Sequence, residues 1–518
     1  MATQHDASPV ASAGEGRAVP ADDGSVKERA GWRPVGHFAE RSVLGLIAVV
    51  ALGAGFGMLL ILVRWRWQPL QRFDSNADNW LNGLVSAHAA LVAVLKSIAA
   101  LGGRPIMLWL VTIAVVVLLI RRRPRLAIYL VVAGVGALLL DPSLKTLVGR
   151  LRPVVEAPVA TAPGNSFPSG HALGSMVVYG ALLLVFLPAV PPRWRKAVIG
   201  FVAAVIVAIG VTRVALGVHY VSDVLAGWLL GAAWLGVTAY AFRLWRREAG
   251  HPVPPMDDGL EPEAGPDIKP APAEQHALPH PWIAAAEILT GWVLVFGILY
   301  VTGYALTHWT EGTWLGSFDD GVPRWLQTFR TPALDHISYF WSKAGDTHAI
   351  LAVSLVFCPI ALALWRQWRP VLFLVLTMFG ELTLFLCSAA AVSRPRPPVQ
   401  QLDGQMPTSS FPSGHIAATM CLWVAIALLV MPRVRHWWRW IFVALAVVMP
   451  IGVAVSRMYR GEHHPTDVLG AVLLTALWLG VLWWAVRPNA DTRTATEAAA
   501  KAEAVQGADA SAPEPRRA

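Results

Sequence analysis

Apolar runs of about 20 residues recur along the whole chain, and that length is what the hydrocarbon core of a bilayer demands of a helix. Inside a bilayer no water can satisfy the backbone, so such runs close their hydrogen bonds internally as helices. Six fall in the first half, at about 43–64, 104–120, 125–141, 170–190, 197–215 and 222–243. Six more fall at about 284–305, 348–365, 370–390, 413–431, 439–457 and 466–486. Only 14% of the residues are charged, against roughly 25% in a soluble domain. These features predict an all-α membrane protein of about 12 spans in two tandem six-helix bundles.

The intervening segments complete the organisation. Residues 1–40 are polar, rich in Ala, Gly, Asp and Ser, and read as a disordered cytoplasmic tail. The first unit is expected over 41–245, a Pro- and acid-rich linker over 246–281, the second unit over 282–487, and a disordered tail over 488–518. The first apolar run, from near Val43, is expected to serve as an uncleaved anchor. Residues 65–103, with Trp65, Trp67 and Trp80, read as an interfacial excursion.

A net charge of +9 invites a polyanion partner, but the basic residues cluster between the runs. Arg121, Arg122, Arg123 and Arg125, then Arg193, Arg195 and Lys196, then Arg243, Arg246 and Arg247 fall on one side, and the second half repeats the pattern. By the positive-inside rule that side is cytoplasmic, as are both termini. The reading is a multi-pass protein of the plasma (inner) membrane with the bilayer, not nucleic acid, as its partner. Cys358, Cys387 and Cys421 lie far apart inside apolar runs and suggest neither a disulfide framework nor a metal site.

Polar chemistry gathers at the other, extracytoplasmic ends of the runs, and it occurs twice. Lys145, Arg152-Pro153, Pro168-Ser169-Gly170-His171, Arg213, His219 and Asp223 form the first set. Adding 244 to Arg152, His171, Arg213, His219 and Asp223 gives Arg396, His415, Arg457, His463 and Asp467. A constant offset over five positions is the mark of an internal repeat. With six spans per unit, both sets face the same way. The upstream residues Phe73, Asp74, Trp80 and Leu81 recur as Phe318, Asp319, Trp325 and Leu326.

The residue types suit a phosphoryl group. Its transition state spreads charge over three oxygens, so catalysis is mainly positioning and charge stabilisation. Arg152 and Arg213 present planar forks to phosphate oxygens and Lys145 a point charge. Ser169 and the Gly170 amide stand where a helix begins, which favours an anion, and Pro168 suits a first helical turn. His219 can attack phosphorus as a nucleophile. Asp223, four residues on, would hold the other ring nitrogen, or else merely cap the following helix. His171 would protonate the leaving oxygen and then activate water. With no carboxylate cluster for Mg²⁺ alongside, the chemistry is expected to be metal-independent and without cofactor.

Together these residues resemble the type-2 phosphatidic acid phosphatase superfamily, whose helical core is shared with vanadium haloperoxidases. Its pattern is Lys-x6-Arg-Pro, Pro-Ser-Gly-His, then Ser-Arg-x5-His-x3-Asp, and here only Thr212 departs from it in the first unit. The resemblance implies hydrolysis of a lipid phosphate or pyrophosphate, such as phosphatidic acid, phosphatidylglycerol phosphate or a polyprenyl pyrophosphate. The second unit keeps Arg396, Ser413, Gly414, His415, Arg457, His463 and Asp467, but Ala389 stands where the motif lysine belongs. Arg394 or Arg460 is a possible substitute, while Glu462 would oppose an anion.

Plainer readings compete. Arg150 and Arg394 fit topogenic or snorkelling arginines. His88, His308, His336 and His348 read as surface residues, and His464 as structural. A lipid phosphotransferase would use the same residues. A 6+6 transporter would instead place its ionisable groups near the midplane, between the halves. A non-catalytic, lipid-binding second half is the remaining alternative.

Overall fold

The structure is a computed structural model that describes residues 33–490 except 253, 273–276, 279 and 405, with side chains from residue 45 onward. The expected tails lie outside the described residues over 1–32 and 491–518. The regular secondary structure of the described residues is all helix. The first unit comprises α1 (Arg33–Arg64), α2 (Gln68–Ser86), α3 (Ala89–Leu101), α4 (Arg104–Ile120), α5 (Pro124–Val148), α6 (Gly170–Phe186), α7 (Pro192–Ala215) and α8 (Val221–Glu248). After the one-turn α9 (Gly265–Ile268), the second comprises α10 (Pro281–His308), α11 (Trp314–Gln327), α12 (Pro332–Ala344), α13 (Thr347–Trp365), α14 (Trp368–Val392), α15 (Gly414–Val430), α16 (Arg439–Tyr459) and α17 (Pro465–Val486).

Each expected run is a helix. Ten described helices are long and apolar enough to cross a membrane. The other two, α4 and α15, have 17 residues each and reach about 25 Å at 1.5 Å per residue. The excursion over 65–103 is the pair α2 and α3, bent by 120°. The face that α2 buries is not apolar, for it carries Asp74, Asp78 and Asn82.

The duplication is visible in the packing as well as in the sequence. In the first unit α1 and α6 pack on α8; in the second α10 and α15 pack on α17. A Cβ on Gly136 of α5 would lie 2.1 Å from Trp234 of α8, and one on Gly380 of α14 would lie 1.9 Å from Trp478 of α17. Each indole N–H donates to a backbone carbonyl of the facing helix, Ala133 at 3.0 Å and Thr377 at 3.1 Å. Only glycine admits the ring so close, which is a sequence signal no motif carries. The two units meet through α4 and α13.

Residues 246–281 do more than connect. Leu260, Ala264 and Ile268 are buried against Leu126 and Leu130 of α5 and Val185 of α6. Asp258 pairs with Arg195 at 2.5 Å, Glu263 with Arg246 at 2.5 Å, and Asp267 with Arg123. The acidic residues that read as linker composition lock the segment onto basic residues at the ends of α5, α7 and α8 of the first unit.

Candidate active site

Helix α5 stops at Gly149, whose φ of +66° is a left-handed conformation that glycine adopts at little cost. Beyond it Arg150 and Arg152 diverge. Arg152 is fixed by three carbonyls: Gly164 at 3.0 Å, Pro163 at 2.9 Å and Val218 at 2.8 Å. Its Nη1 then lies 3.2 Å from Nε2 of His219. Arg213, in the last turn of α7, is buried, and its side chain makes no hydrogen bond or ion pair among the described residues. Arg213, His171 and Lys96 line an open cavity of about 530 Å³. A buried guanidinium with no partner among the described residues, beside a second arginine and two histidines, suits an anion.

His219 sits in the turn between α7 and α8, 2% exposed. Its Nδ1 is 3.5 Å from Oδ2 of Asp223, longer than a formed hydrogen bond. The same Oδ2 accepts the Tyr220 amide at 3.0 Å and caps α8. The carboxylate therefore caps the helix and, from there, faces the imidazole with no hydrogen bond formed to its Nδ1. Burial pushes the His219 imidazole below its ordinary range, against the pull of Asp223.

The topogenic reading of Arg150 and Arg394 is corrected here. Arg150 bonds Asp223 at 2.6 Å, Asp74 at 2.7 Å and the Ser222 hydroxyl at 2.7 Å, and stacks on Tyr220. Arg394 repeats this with Asp467 at 2.6 Å, Asp319 at 2.7 Å and the Thr466 hydroxyl at 2.7 Å. Each arginine ties the amphipathic α2 or α11 to the carboxylate behind the histidine. Pro168 also differs from expectation: α6 begins at Gly170 with Ser169 as N-cap, so Pro168 precedes the helix. The Ser169 hydroxyl has no partner among the described residues.

Asp141, one turn before Lys145, was not singled out from the motifs. It forms an ion pair with Lys145 at 2.9 Å and accepts a hydrogen bond from Arg104 at 2.6 Å. A Cβ on Gly170 would lie 2.7 Å from its Oδ1, so the glycine is required by this approach. An acid within an apolar run was the available signal.

The second unit has the same histidines in a different electrostatic setting. His463 is 3% exposed, with Nδ1 2.8 Å from the Ser410 carbonyl and 3.8 Å from Asp467. Burial lowers its pKa to about 4. Both arginines there are occupied. Arg396 pairs with Glu462 at 2.9 Å, and Arg457 with Asp403 at 2.6 Å and Glu462 at 3.6 Å. Neither proposed substitute for the missing lysine is free, since Arg394 is held as above and Arg460 bonds Asp403 at 2.5 Å. Phe385 takes the place of Asp141 and fills the space over Gly414. His88, His308, His336 and His348 are exposed, as expected. His464 serves the cap of α17.

Fold and geometry define an all-helical membrane protein with arginines and histidines gathered at one end of a helical bundle. Residues 125–247 and 370–491 each match the PAP2 superfamily, and the chain belongs to it, as two tandem copies. The matched stretches cover α5–α8 and α14–α17, the helices that carry both motif sets.

Among similar proteins, phosphatidylglycerophosphatase B of Bacillus subtilis is 37% identical over 95 residues, 18% of this chain and 46% of that protein. An undecaprenyl-diphosphatase of Sulfolobus acidocaldarius is 35% identical over 127 residues, 24% and 58% respectively. A lipid A 1-phosphatase of Rhizobium johnstonii is 37% identical over 123 residues, 22% and 47%. The chain thus spans about half the length of these relatives. The crystal structure of a transmembrane PAP2 type phosphatidylglycerolphosphate phosphatase from Bacillus subtilis aligns with a TM-score of 0.33 at 28% identity, over 37% of this chain and 93% of that one.

Proposed function

We propose that this chain is a membrane lipid phosphate or diphosphate phosphatase whose first unit carries the reaction at the extracytoplasmic face. The observation that carries the reading is the pair Arg152 and unpartnered Arg213, set beside the ring of His219. A phosphate oxygen bound between the two guanidinium groups brings phosphorus to Nε2. Nε2 donates its lone pair to phosphorus as the P–O bond to the lipid breaks, and His171 protonates the departing oxygen. His171 then takes a proton from water, whose oxygen attacks phosphorus and breaks the P–N bond, releasing phosphate and restoring His219. Asp223, held by Arg150, faces the developing positive charge on the imidazole. The basic loops at the opposite ends of the helices support the orientation.

Arg213→Ala removes a cation from the transition state and is expected to lower kcat/KM by about 10²–10³. Phosphate release from phosphatidic acid, phosphatidylglycerol phosphate and undecaprenyl pyrophosphate is the assay. EDTA is expected to leave release unchanged, because the chain's own cations neutralise the phosphate; loss on chelation would refute that account. The nucleophile must be neutral to attack. Because burial lowers the pKa of His219, it remains neutral below the usual imidazole value of about 6.5. The acid limb of kcat/KM against pH is therefore expected below that value, and a limb assigned to His219 above it would contradict the buried geometry.

A further inference from the structure

The second unit holds a cavity of about 360 Å³, within the size range of small-molecule sites. It descends from His415, His463, Arg396 and Arg457 between α13, α14 and α15, past Phe385, to Glu381 and Met378. Glu381 is 3% exposed and makes no hydrogen bond or ion pair among the described residues. It lies 11 residues from the end of α14 at Val392, or about 16 Å along the helix, deep within a span. A buried carboxyl costs free energy until something hydrogen-bonds it, and intramembrane acids of this kind mark ligand paths. The position 244 residues earlier is Ala137.

The upper end of the cavity is unsuited to phosphate. Glu462 and Asp403 already occupy Arg396 and Arg457; the corresponding residues of the first unit are Val218 and Val159. Burial raises the Glu462 pKa against the pull of Arg457 and Arg396. Ala389 and Phe385 replace Lys145 and Asp141. What remains is an apolar chamber with internally neutralised arginines and a lone hydrogen-bonding carboxyl.

We infer that the second unit binds an uncharged lipid bearing a hydroxyl group, whose hydroxyl is hydrogen-bonded by Glu381, and that Glu462 and Asp403 exclude the phosphorylated form. This is the chemical class of the alcohol left when a lipid phosphate is hydrolysed. That link to the product rests on the phosphatase reading; the binding site does not.

The test uses the full-length His219→Ala protein in nanodiscs, photolabelled with a diazirine analogue of farnesol and mapped by peptide mass spectrometry. Labelling is expected on α13, α14 or α15, undiminished by orthovanadate or by chain-matched farnesyl phosphate at equal concentration. Glu381→Ala is expected to reduce it at least about fivefold, the loss of one buried hydrogen bond, with Glu381→Gln restoring it. Both variants are first checked for a monodisperse gel-filtration profile. Replacing Glu462 and Asp403 together by Val is expected to let farnesyl phosphate displace the label. Label confined to the first unit, indifference to Glu381→Ala, or displacement by farnesyl phosphate without those valines would overturn the proposal. Phosphate release by the unmutated protein, measured in parallel, reports separately on the phosphatase reading.

Discussion

Replacing His219 by alanine is expected to reduce phosphate release by at least about 10³-fold, since single losses of a nucleophile cost this much or more in enzymes whose residues act as a unit. His219 is buried in the turn between α7 and α8, and the nearby carboxylate of Asp223 is already held by Arg150 and the Tyr220 amide, so it is not free to replace the imidazole as nucleophile. The second unit is not expected to compensate, because Glu462 and Asp403 hold the arginines that would bind the phosphate. His463→Ala is therefore expected to leave release within about twofold of the unmutated rate, the size of a change that removes no transition-state contact. The comparison of these two variants on one lipid panel is decisive. A dead His463→Ala with an active His219→Ala would move the reaction to the second unit.

The largest stability effect is expected from Arg394→Ala. The guanidinium is 6% exposed and bridges two carboxylates, Asp319 and Asp467, that are themselves 2% exposed or less. Removing it leaves both carboxylates buried without the cation that balances them, although each keeps other hydrogen bonds; this costs about 3–5 kcal/mol, a large fraction of a typical folding free energy. Asp319→Asn, which retains a hydrogen-bonding side chain, is expected to cost less. Thermal unfolding followed by intrinsic tryptophan fluorescence measures both. Equal midpoints for Arg394→Ala and the unmutated protein would show that water reaches the network and that the ion pairs are screened.

Much of the site was legible because its chemistry is carried by fixed spacings. Lys145, Arg152, Ser169, Gly170, His171, Arg213, His219 and Asp223 come from three stretches of chain, each at the end of an apolar run, so hydropathy alone gathered them at one end of the bundle. The offset of 244 did the same for the second set. What stayed hidden depends on direction. Arg150 and Arg152 are two residues apart, yet one faces α2 and the other faces His219, and no periodicity rule applies in the loop that follows Gly149. Asp403 and Arg457 are 54 residues apart, and only packing puts them in contact.

Run length, charge asymmetry between loops, and the repeated motifs determined the class of fold, the number of units and the catalytic candidates, because a bilayer leaves the backbone few alternatives. The tertiary structure decided which cations are available. In the first unit Arg213 has no side-chain partner among the described residues; in the second its counterpart Arg457 is held by Asp403 and Glu462. Both arginines occupy the same motif position, and charge availability depends on what the rest of the fold brings within about 4 Å, where Coulomb interactions are strongest.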